Sequence, residues 1–263
     1  MSEGQKAPKP QGPIAVFDSG LGGISVLREL LKVMPEENYI FYGDSRNAPY
    51  GLHTTQEVHD LTMENADFLV RKGAKALVIA CNTATSAAIN DLRDLYTEIP
   101  VIGIEPAVKP AALNHPGGRI LVMATPITLN EEKFRKLVAQ YETQAQIIPC
   151  PCAELVEFVE RGELDSPELL KYLTGQLKPF LGEELKAVVL GCTHYSFARK
   201  AIQQVCGPDV AIYDGAEGTA RHTRHRLEEM GLLFENKEPE VEIMNSSGDY
   251  EMIMRGYDYL DMD

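Results

Sequence analysis

Apolar positions along this chain fall into two alternating patterns. Short, nearly unbroken apolar runs at IAVFDS (14–19), YIFYGD (39–44), ALVIAC (76–81), VIGIE (101–105), RILVMAT (119–125), AQIIPC (145–150), AVVLGC (187–192), VAIYD (210–214) and VEIMNS (241–246) predict strands. Between them, residues 24–33, 54–72, 83–96, 129–141, 153–162, 167–181, 196–205 and 216–230 carry apolar residues at helical spacing with charged outer faces. Strand and helix alternate in the manner of stacked βαβ units, so the expected class is α/β with mainly parallel sheets flanked by helices. Nine strands exceed what one compact sheet of this length holds, which predicts two similar lobes with a site in the crevice between them. The expected division is a disordered leader at 1–13, a first lobe at 14–104 plus 216–263, and a second lobe at 105–215. Glu105-Pro106, a short helix and NHPGGR (114–119) mark the outward crossing, and Asp214-Gly215 marks the return.

An internal echo supports two lobes of one plan. ALVIACNTATSAAI (76–89) resembles AVVLGCTHYSFARKAI (187–202): an apolar strand, a small residue, a cysteine, polar residues including Thr, then a helix. Open α/β sheets bind ligands beyond the carboxyl ends of their strands, so Cys81 and Cys192 are both expected at the mouth of a crevice.

Composition narrows the classes of partner. The 263 residues include 39 acidic and 25 basic side chains, a formal charge of −14. Sequence-independent nucleic-acid binding and docking on anionic membranes both need a cationic surface, so neither is expected. The start, MSEGQKAPKPQGP, is too polar for a secretory signal, and no segment approaches the ~20 apolar residues of a membrane span. Five cysteines, an odd number without regular spacing, fit reduced thiols in the cytoplasm rather than a disulfide frame. A cytoplasmic enzyme or binding protein for a small molecule is the expectation. A homodimer is left open.

The candidate chemistry centres on the two thiols. A helix N-terminus or a neighbouring cation lowers a thiol pKa from its usual ~8.5. Two such groups facing across a crevice suit inversion of a stereocentre, in which one removes a proton from one face and the other returns a proton to the opposite face. Asn82, Thr83 and Thr193 follow the cysteines where first-turn N–H groups favour a carboxylate, and the same residues serve as ordinary helix caps. Asp18-Ser19-Gly20 leads into Leu21-Gly22-Gly23, but a dinucleotide fingerprint needs a third glycine where Ser25 stands. The glycines instead predict close approach of a ligand to the backbone, with Ser19 as donor and Asp18 handling a proton or an ammonium group. No Walker loop is present. His194, two residues after Cys192, would share its face if the strand continued. Cys150 and Cys152 have no partner pair and His222 and His225 are scattered, so no metal site is expected. The acidic clusters at 235–242 and 258–263 read as solvated surface.

FDSGLGG (17–23), GDSRNAPYG (43–51), VIACNTATS (78–86) and LGCTHY (190–195) resemble the signature segments of the glutamate racemases, in the aspartate/glutamate racemase superfamily. The resemblance runs in order along nearly the whole chain after the leader. It implies a cofactor-independent enzyme that interconverts L- and D-glutamate for peptidoglycan synthesis. Cys81 and Cys192 would be its acid/base pair, assisted by Asp18 and His194 respectively. Ser19, Pro49, Tyr50, Gly51, Asn82, Thr83, Thr125 and Thr193 would bind substrate. A family glutamate before a helix matches Glu160, with Glu157 as competitor, because Ala153 replaces the family's proline in CAELVEFVE (152–160). DSGLGG and GCTHY favour glutamate over aspartate. A cysteine hydrolase built on Cys192 and His194, and a non-catalytic glutamate-binding protein, are the other readings. With so acidic a chain, the crevice should be donor-rich and far less acidic than the surface.

Overall fold

The computed structural model describes residues 8–182 and 184–262. These residues form two compact units, drawn from Met1–Ile104 with Ala216–Asp263 and from Glu105–Gly215. The first contains β1 (Ile14–Asp18), α1 (Ile24–Val33), β2 (Tyr39–Gly43), α2 (Thr55–Arg71), β3 (Ala76–Ile79), α3 (Asn82–Leu95) and β4 (Val101–Gly103). The second contains α4 (Val108–Asn114), β5 (Arg119–Ala124), α5 (Pro126–Asn130), α6 (Glu132–Tyr141), β6 (Gln146–Pro151), α7 (Leu155–Glu160), α8 (Pro167–Leu177), β7 (Leu185–Leu190), α9 (Arg199–Cys206) and β8 (Ala211–Asp214). The chain then returns to the first unit with α10 (Ala216–Glu229), β9 (Val241–Asn245) and α11 (Tyr250–Leu260).

Both sheets are wholly parallel. The first has the order β4-β3-β1-β2-β9 and the second β6-β5-β7-β8. Read from the second strand of each unit, the order is the same: β2-β1-β3-β4 and β6-β5-β7-β8, with β9 added at one edge. The sequence echo is therefore a repeat of topology. Each central strand is covered on both faces, which is why β1 and β3 are buried at every position and read as continuous apolar runs.

Local chemistry sets the helix ends. Thr54 and Glu57 form a capping box at the start of α2, and Ser166 caps α8, whose first residue is Pro167. The stretch 129–141 is two helices rather than one, because extended backbone at Glu131 (ψ 145°) breaks it between α5 and α6. Helix α11 lies outside the expected helices, although Ile253, Gly256, Tyr257 and Leu260 stand at helical spacing and are buried or half-buried. The reading of 258–263 as solvated surface holds for Asp258 and Asp261. It fails for Tyr259, which is buried, and for the Met262 carbonyl, which accepts from Arg28.

Residues 1–7 of the expected leader lie outside the described residues. Nearer the first strand the chain is tied down rather than loose, because the Pro10 carbonyl accepts from Lys75 Nζ at 2.6 Å. That ammonium is fully buried. It also pairs with Glu37 at 2.5 Å and donates to the Leu232 carbonyl at 2.9 Å, while the other Glu37 oxygen accepts from the Phe234 amide. One ion pair thus ties four separate chain segments. Lys75→Met should strand the Glu37 carboxylate and cost about 3–5 kcal/mol in urea unfolding. A loss well under that range would mean the four segments hold together without the pair.

Candidate active site

In the first unit β1 has β2 on one side and β3 on the other, so strand order reverses between β1 and β3. Such a switch point opens a crevice beyond the carboxyl ends of the two strands. Their last paired residues are Phe17 and Ile79. Two residues further on stand Ser19 and Cys81, and the Cys81 thiol lies 3.5 Å from Ser19 Oγ. Cys81 is beyond its strand, not within it, and is the N-cap of α3, where its sulfur accepts from the Ala84 amide at 3.4 Å. The sulfur therefore faces the positive end of a 14-residue helix. Asn82 and Thr83 open that helix and are buried. Asn82 Oδ1 is buried without a hydrogen-bond partner, a state that costs roughly 1–3 kcal/mol and that a ligand donor would relieve.

The loop after β1 is shaped by contact. Asp18 is fully buried and its Oδ1 accepts from the Gly20 amide at 2.9 Å. A Cβ on Gly23 would lie 2.6 Å from that of Asp18, which explains the glycine without any nucleotide. Pro49, in extended conformation, precedes a 3-10 turn over Tyr50–Leu52 that contains Tyr50 and Gly51. The Tyr50 hydroxyl donates to Asp44 at 2.7 Å. Burial, the Asp44 carboxylate with its hydrogen bond, and the nearby charge of a Cys81 thiolate all push the Tyr50 pKa up, so the phenol stays neutral. Asp44 was not singled out from sequence, yet it is buried and holds Asn47, Tyr50 and Asn65 together. Its only sequence signal was its place within GDSRNAPYG.

The second unit repeats the arrangement. Strand order reverses between β5 and β7, whose last paired residues are Met123 and Leu190. Two residues further on stand Thr125 and Cys192, the counterparts of Ser19 and Cys81. Gly191 has no room for a side chain, since a Cβ there would lie 2.9 Å from that of Ala124. Thr125 caps α5 and is buried, as is Thr193.

Two expectations about Cys192 need correction. The strand stops at Leu190, so strand alternation does not align Cys192 with His194. No α-helix follows directly either: a 3-10 turn at Thr193–Ser196 intervenes before α9. That turn brings His194 Nδ1 to 3.8 Å from Cys192 Sγ. On its other side, His194 Nε2 lies 2.5 Å from Glu160 Oε1, at the end of α7. Glu157 points elsewhere, towards Arg161 and solvent. Burial opposes a charge on His194. Hydrogen bonds to Cys192 and Glu160, with the negative charge of both, outweigh it and hold the imidazole pKa well above its ordinary value. The Tyr195 hydroxyl anchors the turn through the Cys152 carbonyl at 2.7 Å. Cys150 and Cys152 lie 3.6 Å apart in the apolar cluster that also contains Cys192 and Tyr195.

A family model for Asp/Glu/hydantoin racemases matches residues 22–223. The chain belongs to that family and is an amino-acid racemase, an isomerase. Among its relatives, a glutamate racemase of Clostridium perfringens is 50% identical over 242 residues, covering 92% of this chain and 93% of the relative. The crystal structure of glutamate racemase from Francisella tularensis in complex with D-glutamate is similar with a TM-score of 0.84 at 26% identity, covering 97% of this chain and 95% of that one. The Escherichia coli glutamate racemase structure, in complex with L-glutamate and the activator UDP-MurNAc-ala, has a TM-score of 0.81 at 28% identity, with coverage of 95% and 92%. Among the described residues, no helix is long and apolar enough to cross a membrane.

The pKa of His194 is a measurable signature of its cluster. A raised folded-state pKa contributes stability below the unfolded value of ~6.5 that is lost as pH rises through the folded value. Glu160→Gln should move the His194 titration, followed by ring NMR, down towards the ordinary range. The stability difference from wild type should be largest near pH 6 and shrink in alkali. Identical titrations in the two proteins would show that Glu160 does not hold the charge.

Proposed function

We propose that the chain is a cofactor-independent glutamate racemase that works with two thiols. One cysteine, as thiolate, takes the Cα proton of glutamate, and the electron pair left at Cα spreads into the carboxylate. The thiol of the other cysteine then delivers a proton to the opposite face. The first cysteine ends as thiol and the second as thiolate, and the reverse reaction exchanges their roles. The observation that carries this reading is the duplication itself: Ser19 with Cys81, and Thr125 with Cys192, occupy matching positions beyond matching switch points.

The roles follow from the two clusters. The first turn of α3 supplies oriented N–H dipoles near Cys81, where developing negative charge on the substrate carboxylate needs stabilisation. Asn82 Oδ1 is an acceptor suited to the ammonium group. Ser19, Thr83, Thr125 and Thr193, with the backbone of Pro49, Tyr50 and Gly51, complete the binding set. Asp18 assists on the Cys81 side. His194, kept cationic by Glu160, assists Cys192 by stabilising its thiolate and by returning a proton. The names of the relatives support glutamate as substrate, ahead of aspartate. The role assigned is supply of D-glutamate for peptidoglycan in the cytoplasm.

A cysteine hydrolase would use Cys192 and His194, which share one turn, and would leave the duplicate cluster around Cys81 without a task. A non-catalytic glutamate-binding protein would have no use for two such thiols. Both readings are separated from racemisation by one assay. In D2O, wild-type protein should place deuterium at Cα of either glutamate enantiomer while racemising it. Cys81→Ala and Cys192→Ala should each lower racemisation by at least about a thousandfold, as loss of an acid/base that acts in both directions demands. Racemisation retained in both variants would refute the mechanism, and ammonia release without exchange would favour the hydrolase.

A further inference from the structure

The last strand of the chain reaches into the first cluster, although sequence places it about 160 residues beyond Cys81. Strand β9 pairs with β2 so that Asn245 lies opposite Gly43, and Ser246 continues the ladder by donating its amide to the Gly43 carbonyl at 2.9 Å. The Asn245 amide donates to Ser45 Oγ at 2.8 Å. Its carbonyl oxygen accepts from the Ser247 amide at 3.0 Å and the Ser247 hydroxyl at 2.7 Å, which locks its rotamer. Ser246 Oγ accepts from the Arg46 amide at 3.0 Å. Two consecutive side chains, the last of β9 and the residue after it, thus hold two consecutive residues of the turn that follows β2.

From that turn two routes lead to Cys81. Through Asp44, the residue before Ser45, the turn fixes Tyr50 and its loop. Through Gly43 it bears directly on the loop after β1. A Cβ on Gly43 would lie 2.4 Å from the Gly20 carbonyl and 3.3 Å from Asn245 Nδ2, so Gly43 is wedged between the two. The Asp44 amide also donates to the Asp18 carbonyl at 2.9 Å. Beyond Gly20 stands Ser19, 3.5 Å from the Cys81 sulfur. Movement of Asn245 has little slack to absorb it before it reaches Ser19.

We infer that Asn245 and Ser246 are positioning residues for the substrate-binding loops at Cys81. They touch neither thiol. They act by setting where the 18–20 turn and the 49–51 loop stand. The inference rests on the function proposed above, in which those loops bind substrate. Because the brace bears on Ser19 through Gly20 and on the 49–51 loop, while neither thiol belongs to it, its loss should appear chiefly in KM, with a smaller effect on kcat through Asp18.

The test is steady-state racemisation of both glutamate enantiomers by Asn245→Ala, Ser246→Ala and the double variant, with melting temperatures. Each single change should raise KM about three- to tenfold, as expected for one or two lost hydrogen bonds, with kcat within about twofold of wild type. Ser246→Thr keeps the hydroxyl and should restore the wild-type KM, which a merely stabilising role does not predict. Wild-type KM in both alanine variants would overturn the inference. So would a lowered melting temperature with unchanged KM, because that would mark the segment as structural only. If Asn245→Ala does not fold, the Ser246 pair decides alone. Absence of racemisation by the wild-type protein would instead refute the proposed function, and the inference with it.

Discussion

The structure depends on one constraint, applied twice: a parallel sheet whose strand order reverses between two neighbours must part their trailing loops. Between β1 and β3, and again between β5 and β7, the chain leaves in opposite directions, so no loop fills the space beyond those strand ends. Parallel pairing then fixes what stands there. With Phe17 beside Ile79 and Met123 beside Leu190, a hydroxyl and a thiol follow two residues later in each unit. The positions of these groups are set by hydrogen-bonded backbone, the least adjustable part of the fold.

The two clusters share a frame and differ in how they treat a thiol. Cys81 is the cap of a long helix, and its sulfur is served by backbone dipoles and a serine hydroxyl. Cys192 precedes only a short 3-10 turn, and a buried imidazole braced by a carboxylate stands beside it. One environment offers fixed dipoles, the other a mobile proton. In the proposed mechanism, a duplicated scaffold meets one electrostatic demand, stabilising negative charge on sulfur, in two ways.

Much of this was legible in sequence because burial writes itself in composition. Strands covered on both faces read as apolar runs, and all nine predicted strands are present. The cysteines stood out by repetition. Other features left weaker traces. Helix α11 does carry a helical period, Ile253, Gly256, Tyr257 and Leu260, but the acidic residues at its end drew the reading of solvated surface. The contact between Cys192 and His194 arises from a 3-10 turn that begins at Thr193, a local geometry that strand alternation does not foresee. Asp44 acts through Asn47, Tyr50 and Asn65, and nothing in a linear pattern links an aspartate to Asn65. Asp18, Asp44 and Glu160 are carboxylates within the two clusters, and each is engaged by local donors.

The insertion of the second unit within the first bears on synthesis. The chain enters the first unit, leaves it at Ile104, and returns at Ala216 to supply α10, β9 and α11. A ribosome therefore releases every strand of the second unit while the first still lacks its edge strand and two helices. The inner unit can close early, as a continuous stretch, whereas the outer one must wait for β9 and α11. The edge of β2 that will receive β9 stays uncovered through that interval, an open strand edge of the kind that invites wrong pairing. Only once β9 has been made can the surroundings of Cys81 be completed.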